Sequence, residues 1–250
     1  MNILKKIFSH KKEDKPISLE SVLVDMHSHL IPGVDDGSKT MIDTIELVEG
    51  LIGLGIKHII TTPHIMSDIY PNVGSKLREE GERVKEELKN RNLDVTFQAA
   101  AEYFLDDHFM DLISKNELLT FGDSYVLFEL SFMQEPPNLQ EAIFEMQSAG
   151  YKPILAHPER YIYYHNSFDI YENLHKQGVY LQLNLNSLTG QYSPHVKKMS
   201  ERLIENQLIS FLGSDCHHLG HIALSEQVLF NPHLKELISS DCLLNKTLIQ

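Results

Sequence analysis

The chain has 250 residues, 42% of them apolar, and a formal net charge of −13. That length suits one α/β barrel or two smaller domains, and the acidic balance argues against a broad nucleic-acid surface. No apolar run approaches the ~20 residues that span a bilayer, no secretory pattern is seen, and Cys216 and Cys242 are too few for a disulfide framework, so a cytoplasmic protein is expected.

Residues 1–20 read as a charged leader, with Ile3, Leu4, Ile7 and Phe8 beside Lys5, Lys6, Lys11 and Lys12, and are expected to be flexible. Residues 21–250 read as one domain of alternating strands and helices. Val22-Leu23-Val24 is a short buried strand, and Ile42, Ile45, Val48, Leu51 and Ile52 recur at helical spacing over 40–54. Gly55 ends that helix before a second strand, Lys57 to Thr61. A charge-rich helix over 75–90 precedes the strand Val95 to Ala99, and a short helix over 106–115 precedes Tyr125 to Phe128. Helix 138–149 closes at Gly150 before the strand Pro153 to Ala156. Helix 167–177 leads to Val179 to Asn184, and helix 194–206 to Leu208 to Gly213, with one or two helices to finish. This alternation predicts a parallel α/β architecture. Seven strands favour a barrel variant, whereas an open doubly wound sheet would spread the strand ends along a crevice.

The strand exits carry metal-seeking side chains. His27 and His29 are two apart, so both rings point the same way and can chelate one cation; two ordinary polar residues are the bland alternative. Asp215 and His217 repeat that spacing after the last strand. Glu102 follows a run of small residues and Glu129 follows Val126-Leu127-Phe128, so both carboxylates are expected to be buried. An unpaired buried carboxylate costs several kcal/mol, which a cation or a basic side chain removes. Of the five arginines, all but Arg160 fall on predicted helices, which favours the cation. His64 and His157 flank prolines at strand exits, and either Asp35 or Asp36 can turn inward from the first loop. Arg160 is cationic among acids: its fork of donors suits a phosphate, and a salt bridge to Glu159 is the alternative. His108, His165, His175, His195 and His233 lie in polar segments and read as surface residues, while 67–75 and 187–194 are expected to rim the pocket.

In Asp25-Met26-His27-Ser28-His29, Gly33-Val34-Asp35-Asp36-Gly37, Thr61-Thr62-Pro63-His64, Glu102, Phe128-Glu129, His157-Pro158-Glu159-Arg160-Tyr161 and Ser214-Asp215-Cys216-His217 the chain resembles the PHP superfamily. Within it, the likeness is to the bacterial manganese-dependent protein-tyrosine phosphatases of capsule and exopolysaccharide loci. It runs in order from about Val22 to His221.

The resemblance implies a distorted (β/α)7 TIM-like barrel of the PHP type and three metal ions, Mn²⁺ with Fe, Mg or Zn as alternatives. His27, His29, Glu102 and Asp215 would hold the first; Glu102 as a bridge, Glu129 and His157 the second; Asp36, His64 and His217 the third, with Asp35 as substitute for Asp36. Arg160 would orient the phosphate for attack by a metal-activated water. The implied substrate is a phosphotyrosine protein, the tyrosine-rich tail of a bacterial tyrosine kinase. A thiolate mechanism needs Cys-x5-Arg, and counting on from Cys216 and Cys242 reaches Ile222 and Leu248 instead. Alternatives are a phosphoesterase for a small phosphomonoester such as histidinol phosphate, an amidohydrolase, and an inactive metal-binding regulator.

Overall fold

The computed structural model describes residues 16–249. Residues 1–15, most of the expected leader, lie outside the described residues. From Ile17 the chain is already packed: the Ile17 N–H donates to Leu229 O at 2.8 Å, and Leu19 is buried in a 3₁₀ turn, Leu19–Ser21.

The described residues form a mixed α/β fold with nine strands, all parallel where they pair. In chain order these are β1 (Val24–Asp25), β2 (His58–Thr61), β3 (His64–Ile65), β4 (Thr96–Ala99), β5 (Glu102–Phe104), β6 (Tyr125–Glu129), β7 (Lys152–Ala156), β8 (Tyr180–Asn184) and β9 (Phe211–Gly213). One sheet has the order β1-β2-β4 and the other β3-β5-β6-β7-β8-β9. The helices between them are α1 (Met41–Gly53), α2 (Gly74–Asn90), α3 (Asp107–Lys115), α4 (Leu139–Ser148), α5 (Asp169–Lys176) and α6 (Pro194–Glu205), followed by α7 (Leu219–Val228) and α8 (Pro232–Ser239).

Nine strands replace the seven predicted, because two runs are interrupted. Pro63 has no N–H to continue a ladder, so β2 stops and β3 resumes at His64. Ala100 and Ala101 separate β4 from β5. Each interruption hands the chain from the smaller sheet to the larger. β9 is shorter than predicted: the Leu208 N–H still donates to Leu203 O of the preceding helix at 3.1 Å, and the strand begins only at Phe211.

Alternation along the strands explains the curl. Ile60, Leu127, Ile154 and Phe211 belong to one buried cluster, with Val24 and Met26. Their sequence neighbours Ile59, Val126, Leu155 and Leu212 belong to a larger cluster with the helices. Successive strand residues face opposite sides, so the sheets enclose an inner core and carry the helices outside. First and last strand exits meet: Ser28 bridges Cys216, and the His29 N–H donates to Cys216 O at 2.9 Å. Among the described residues, no helix is long and apolar enough to cross a membrane.

Candidate metal centre

The strand exits converge on a pocket of 310 Å³ whose walls include Asp36, Glu102, Phe132, Arg160, Tyr192 and His217. His27 and His29, just past β1, bring their Nε2 atoms within 3.3 Å of each other. Glu102 Oε2 lies 3.2 Å from His27 Nε2 and 3.5 Å from His29 Nε2, and Asp215 Oδ1 lies 3.5 and 3.4 Å from the same two atoms. All four side chains are buried, so one point is faced by two nitrogens and two oxygens.

Glu102 also meets two further imidazoles. Its Oε1 is 3.0 Å from His157 Nε2, and His64 Nδ1 sits 3.1 Å from Glu102 Oε2 and 3.0 Å from Glu129 Oε1. Glu129 Oε2 is 3.9 Å from His157 Nε2. On the open side, Asp36 Oδ1 lies 3.4 Å from His217 Nε2 and 3.7 Å from His64 Nε2. His64 therefore stands between two groups, one ring nitrogen toward each.

Outer contacts fix which ring nitrogen carries the proton. The Gln182 amide donates to Leu183 O at 2.7 Å, which turns its Oε1 onto His27 Nδ1 at 2.8 Å. Asp35 Oδ2 lies 2.7 Å from His29 Nδ1, and Asp215 O lies 2.9 Å from His217 Nδ1. Each acceptor holds a hydrogen on Nδ1, so that Nε2 faces the pocket and offers its lone pair once its own proton is lost. Asp35 and Asp36 thus face different partners. The Asp35 carboxylate is buried against His29 and accepts the N–H groups of Gly37 (2.9 Å) and His64 (3.1 Å), whereas Asp36 is half exposed in the pocket wall.

Glu102 Oε2, Glu129 Oε1 and His64 Nδ1 are buried without a hydrogen-bond partner. Among the described residues only imidazoles pair with the two glutamates. Orphaned buried acceptors cost several kcal/mol, and a divalent cation removes that cost. Four groups of three or four such residues have ligand atoms mutually within 4.8 Å. Oxygen and imidazole donors without thiolate suit Mn²⁺, Fe²⁺, Zn²⁺ or Mg²⁺. The residues fit bound metal.

Without metal the charges pair among themselves. Burial disfavours a charged His27 ring, yet Glu102 and Asp215 outweigh it and push the ring up to about 9. His29 and His64 also rise against burial, through Asp35 and Glu102 respectively. Burial opposes ionisation of Glu102 and Asp215 as well, but the His27 charge beside both holds them well below the usual carboxylate range. Two residues of these clusters, His157 (φ 32°) and Asp215 (φ 49°), occupy the left-handed region that side chains disfavour, a form of strain that clusters at functional sites.

Arg160 reaches the same pocket. Its Nη1 donates to Asp215 Oδ2 at 3.1 Å, and its guanidinium lies between the rings of Phe132 (4.6 Å) and Tyr192 (4.5 Å). The Glu159 salt bridge does not form: that carboxylate is buried, accepting from Ser187 Oγ at 2.6 Å and Asn184 N at 3.1 Å. Cys216 is buried between the strand exits, and burial pushes its thiol up, so it is neutral and out of reach of a substrate. His108, His175 and His195 are exposed, while His165 and His233 are half-buried outside the pocket.

Sequence reasoning assigned no individual role to Asp25, Gln182, Asn184, Phe132, Tyr192 or His221. Asp25 is buried and accepts from Ser214 N (2.8 Å) and Oγ (2.7 Å), tying β1 to the loop that carries Asp215. Gln182 and Asn184 had a signal: two amides at period two in an otherwise apolar strand. Tyr192 falls in the stretch expected to rim the pocket, and Tyr70, in the other, stacks on His64 at 5.5 Å.

Residues 23–225 match the family described as capsular polysaccharide synthesis, CpsB/CapC. The chain belongs to this family. Among CpsB/CapC relatives, it is 29% identical over 198 residues to tyrosine-protein phosphatase YwqE of Bacillus subtilis, covering 79% of this chain and 78% of that one. It is 28% identical over 210 residues to putative tyrosine-protein phosphatase CapC of Staphylococcus aureus, covering 84% and 82%. In three dimensions it resembles a structure from work on YwqE and on CpsB of Streptococcus pneumoniae, described as unique metal-dependent tyrosine phosphatases. The TM-score is 0.79 and the identity 28%, over 88% of this chain and 89% of that one. A histidinol phosphate phosphatase from Lactococcus lactis shares the fold at 14% identity, with a TM-score of 0.51 over 86% and 92%.

Proposed function

We propose that this CpsB/CapC-family protein is a metal-dependent protein-tyrosine phosphatase, a phosphoric monoester hydrolase that uses water as the nucleophile. The observation that carries the reading is Glu102, whose Oε2 faces His27, His29 and His64 and whose Oε1 faces His157, in a pocket that also holds Arg160. A bridging carboxylate suits a multinuclear centre, and a guanidinium beside it suits a phosphate. The names of the relatives agree with this reading.

In this reading His27, His29, Glu102 and Asp215 hold a first ion, Glu102, Glu129 and His157 a second, and Asp36, His64 and His217 a third. His64 lends its other nitrogen to the second. Mn²⁺ is the proposed metal. When bound, the ions supply Lewis acidity toward phosphate oxygens and activate water near neutral pH. Arg160 grips the phosphate, its plane held by Phe132 and Tyr192. A tyrosyl phenolate, with a pKa near ~10, leaves with modest assistance. Cys216 takes no part.

The finer reading makes β2–β3 and β4–β5 two interrupted staves, giving a distorted (β/α)7 barrel of the PHP type. It places the protein in the cytoplasm, acting on the tyrosine-rich tail of a bacterial tyrosine kinase that controls capsular or exopolysaccharide synthesis. The test is a Mn²⁺-supplemented assay comparing phosphotyrosyl peptide, phosphoseryl peptide and histidinol phosphate. Preference for phosphotyrosyl peptide is expected; preference for histidinol phosphate, or turnover that survives complete chelation, overturns the proposal.

A further inference from the structure

Asn184 is fully buried at the end of β8, and its amide has only one satisfactory orientation. Its Oδ1 accepts the Asn186 N–H at 3.0 Å, so Nδ2 faces the pocket side. One Nδ2 hydrogen goes to Asp215 Oδ2 at 2.6 Å and the other to the Tyr192 hydroxyl oxygen at 3.1 Å. Tyr192 is therefore an acceptor toward Asn184, and its own hydrogen must point elsewhere. Among the described residues it donates to no protein acceptor. Burial also pushes the phenol up, so the hydroxyl keeps that hydrogen at neutral pH.

The ring that carries this free donor is not remote. Tyr192 lines the pocket, and the Arg160 guanidinium sits over its ring, 4.5 Å from ring centre to Cζ. Arg160 shares Asp215 Oδ2 with Asn184. A closed circuit, Arg160 to Asp215 to Asn184 to Tyr192, thus holds one guanidinium and one phenol in the wall of the same pocket. An acceptor-rich anion is the ligand that uses both.

We propose that Tyr192 is a second phosphate-binding residue, whose hydroxyl, turned by Asn184, donates to a non-bridging oxygen of the phosphate gripped by Arg160. The inference rests on the phosphatase reading for its substrate, but not for its test. Tyr192→Phe keeps the ring against Arg160 and removes only the donor. Inorganic phosphate is titrated calorimetrically into Mn²⁺-loaded protein, and bound metal is measured by elemental analysis. A hydrogen bond to a charged group predicts phosphate affinity weakened ~10-fold or more in the variant, with a matching fall in kcat/KM on phosphotyrosyl peptide and unchanged metal content.

Phosphate affinity within about twofold of the parent overturns the proposal, by the same scale. So does loss of metal, which would mean that Tyr192 acts through Asn184 and Asp215. If the parent binds phosphate but hydrolyses no aryl phosphate, the phosphatase reading fails and the affinity comparison still decides the role of Tyr192. A parent that binds no phosphate sinks both.

Discussion

Gln182 Oε1 sits 2.8 Å from His27 Nδ1, a contact between residues 155 apart in the chain. The bond keeps the Nδ1 hydrogen away from the pocket and turns Nε2 into it. Removing such an outer partner typically weakens metal binding ~10- to 100-fold, because the ring loses both its tautomer and its orientation. Gln182→Ala should therefore fold, bind Mn²⁺ more weakly by that factor, and recover turnover at high Mn²⁺. A metal titration decides it; unchanged affinity would remove Gln182 from the site.

Proton release should accompany metal binding. His27 is pushed up to about 9 by Glu102 and Asp215 against the opposing effect of burial, so at pH 7 the metal-free ring is protonated and a cation must displace that proton. Apparent Mn²⁺ affinity then rises with pH until about 9, and calorimetry in buffers of different ionisation enthalpy reads the protons released. The same shift has a stability sign. The folded value lies above the ordinary 6.5, so the group's contribution to the metal-free fold is full below 6.5 and lost as pH climbs to about 9. The Tm of metal-free protein should fall across that window, while that of loaded protein does not follow it. Affinity flat between pH 7 and pH 9 would contradict the charge state assigned to His27.

Cys216 offers a control on mechanism. It is buried and its thiol is raised, so it cannot serve as a thiolate nucleophile. Cys216→Ala should retain turnover within about twofold and cost about 1 kcal/mol of stability, as expected for a small core truncation. Iodoacetamide should leave the native enzyme active. Inactivation in step with labelling of Cys216 would reopen the thiol route.

Much of the candidate site was legible because most of its residues follow apolar runs, and parallel strands put the ends of such runs on one side. The strand count was not: β3 has two residues and β5 three, too short for any periodicity. Nor could the sequence choose between Asp35 and Asp36. That choice is made by the turn in which Asp35 accepts the Gly37 N–H and folds back onto His29. Phe132 and Tyr192 lie on loops whose paths depend on tertiary packing, whereas Gln182 and Asn184 were readable as polar positions alternating in β8. Glu159 sits beside Arg160 in sequence, yet the 3₁₀ turn Pro158–Arg160 sends the two side chains to different partners.

Gly37 shows why the first loop ends in glycine. A Cβ there would lie 2.2 Å from the His29 carbonyl oxygen and 2.4 Å from His29 Cβ, both on a buried segment that cannot retreat. Gly37→Ala must therefore displace the Asp35-Asp36 turn, taking Asp36 from His217 and Asp35 from His29 Nδ1 together. Misplacements of about 1 Å can cost ~100-fold in rate, so turnover should fall at least that far, with fewer Mn²⁺ ions bound per chain by elemental analysis. Gly53 is the matched comparison. It ends α1, a methyl group added there would meet nothing within 4 Å, and Gly53→Ala should raise stability by up to about 1 kcal/mol at full activity. If Gly37→Ala instead bound a full complement of metal and turned over normally, the first loop could not be holding ligands against His29.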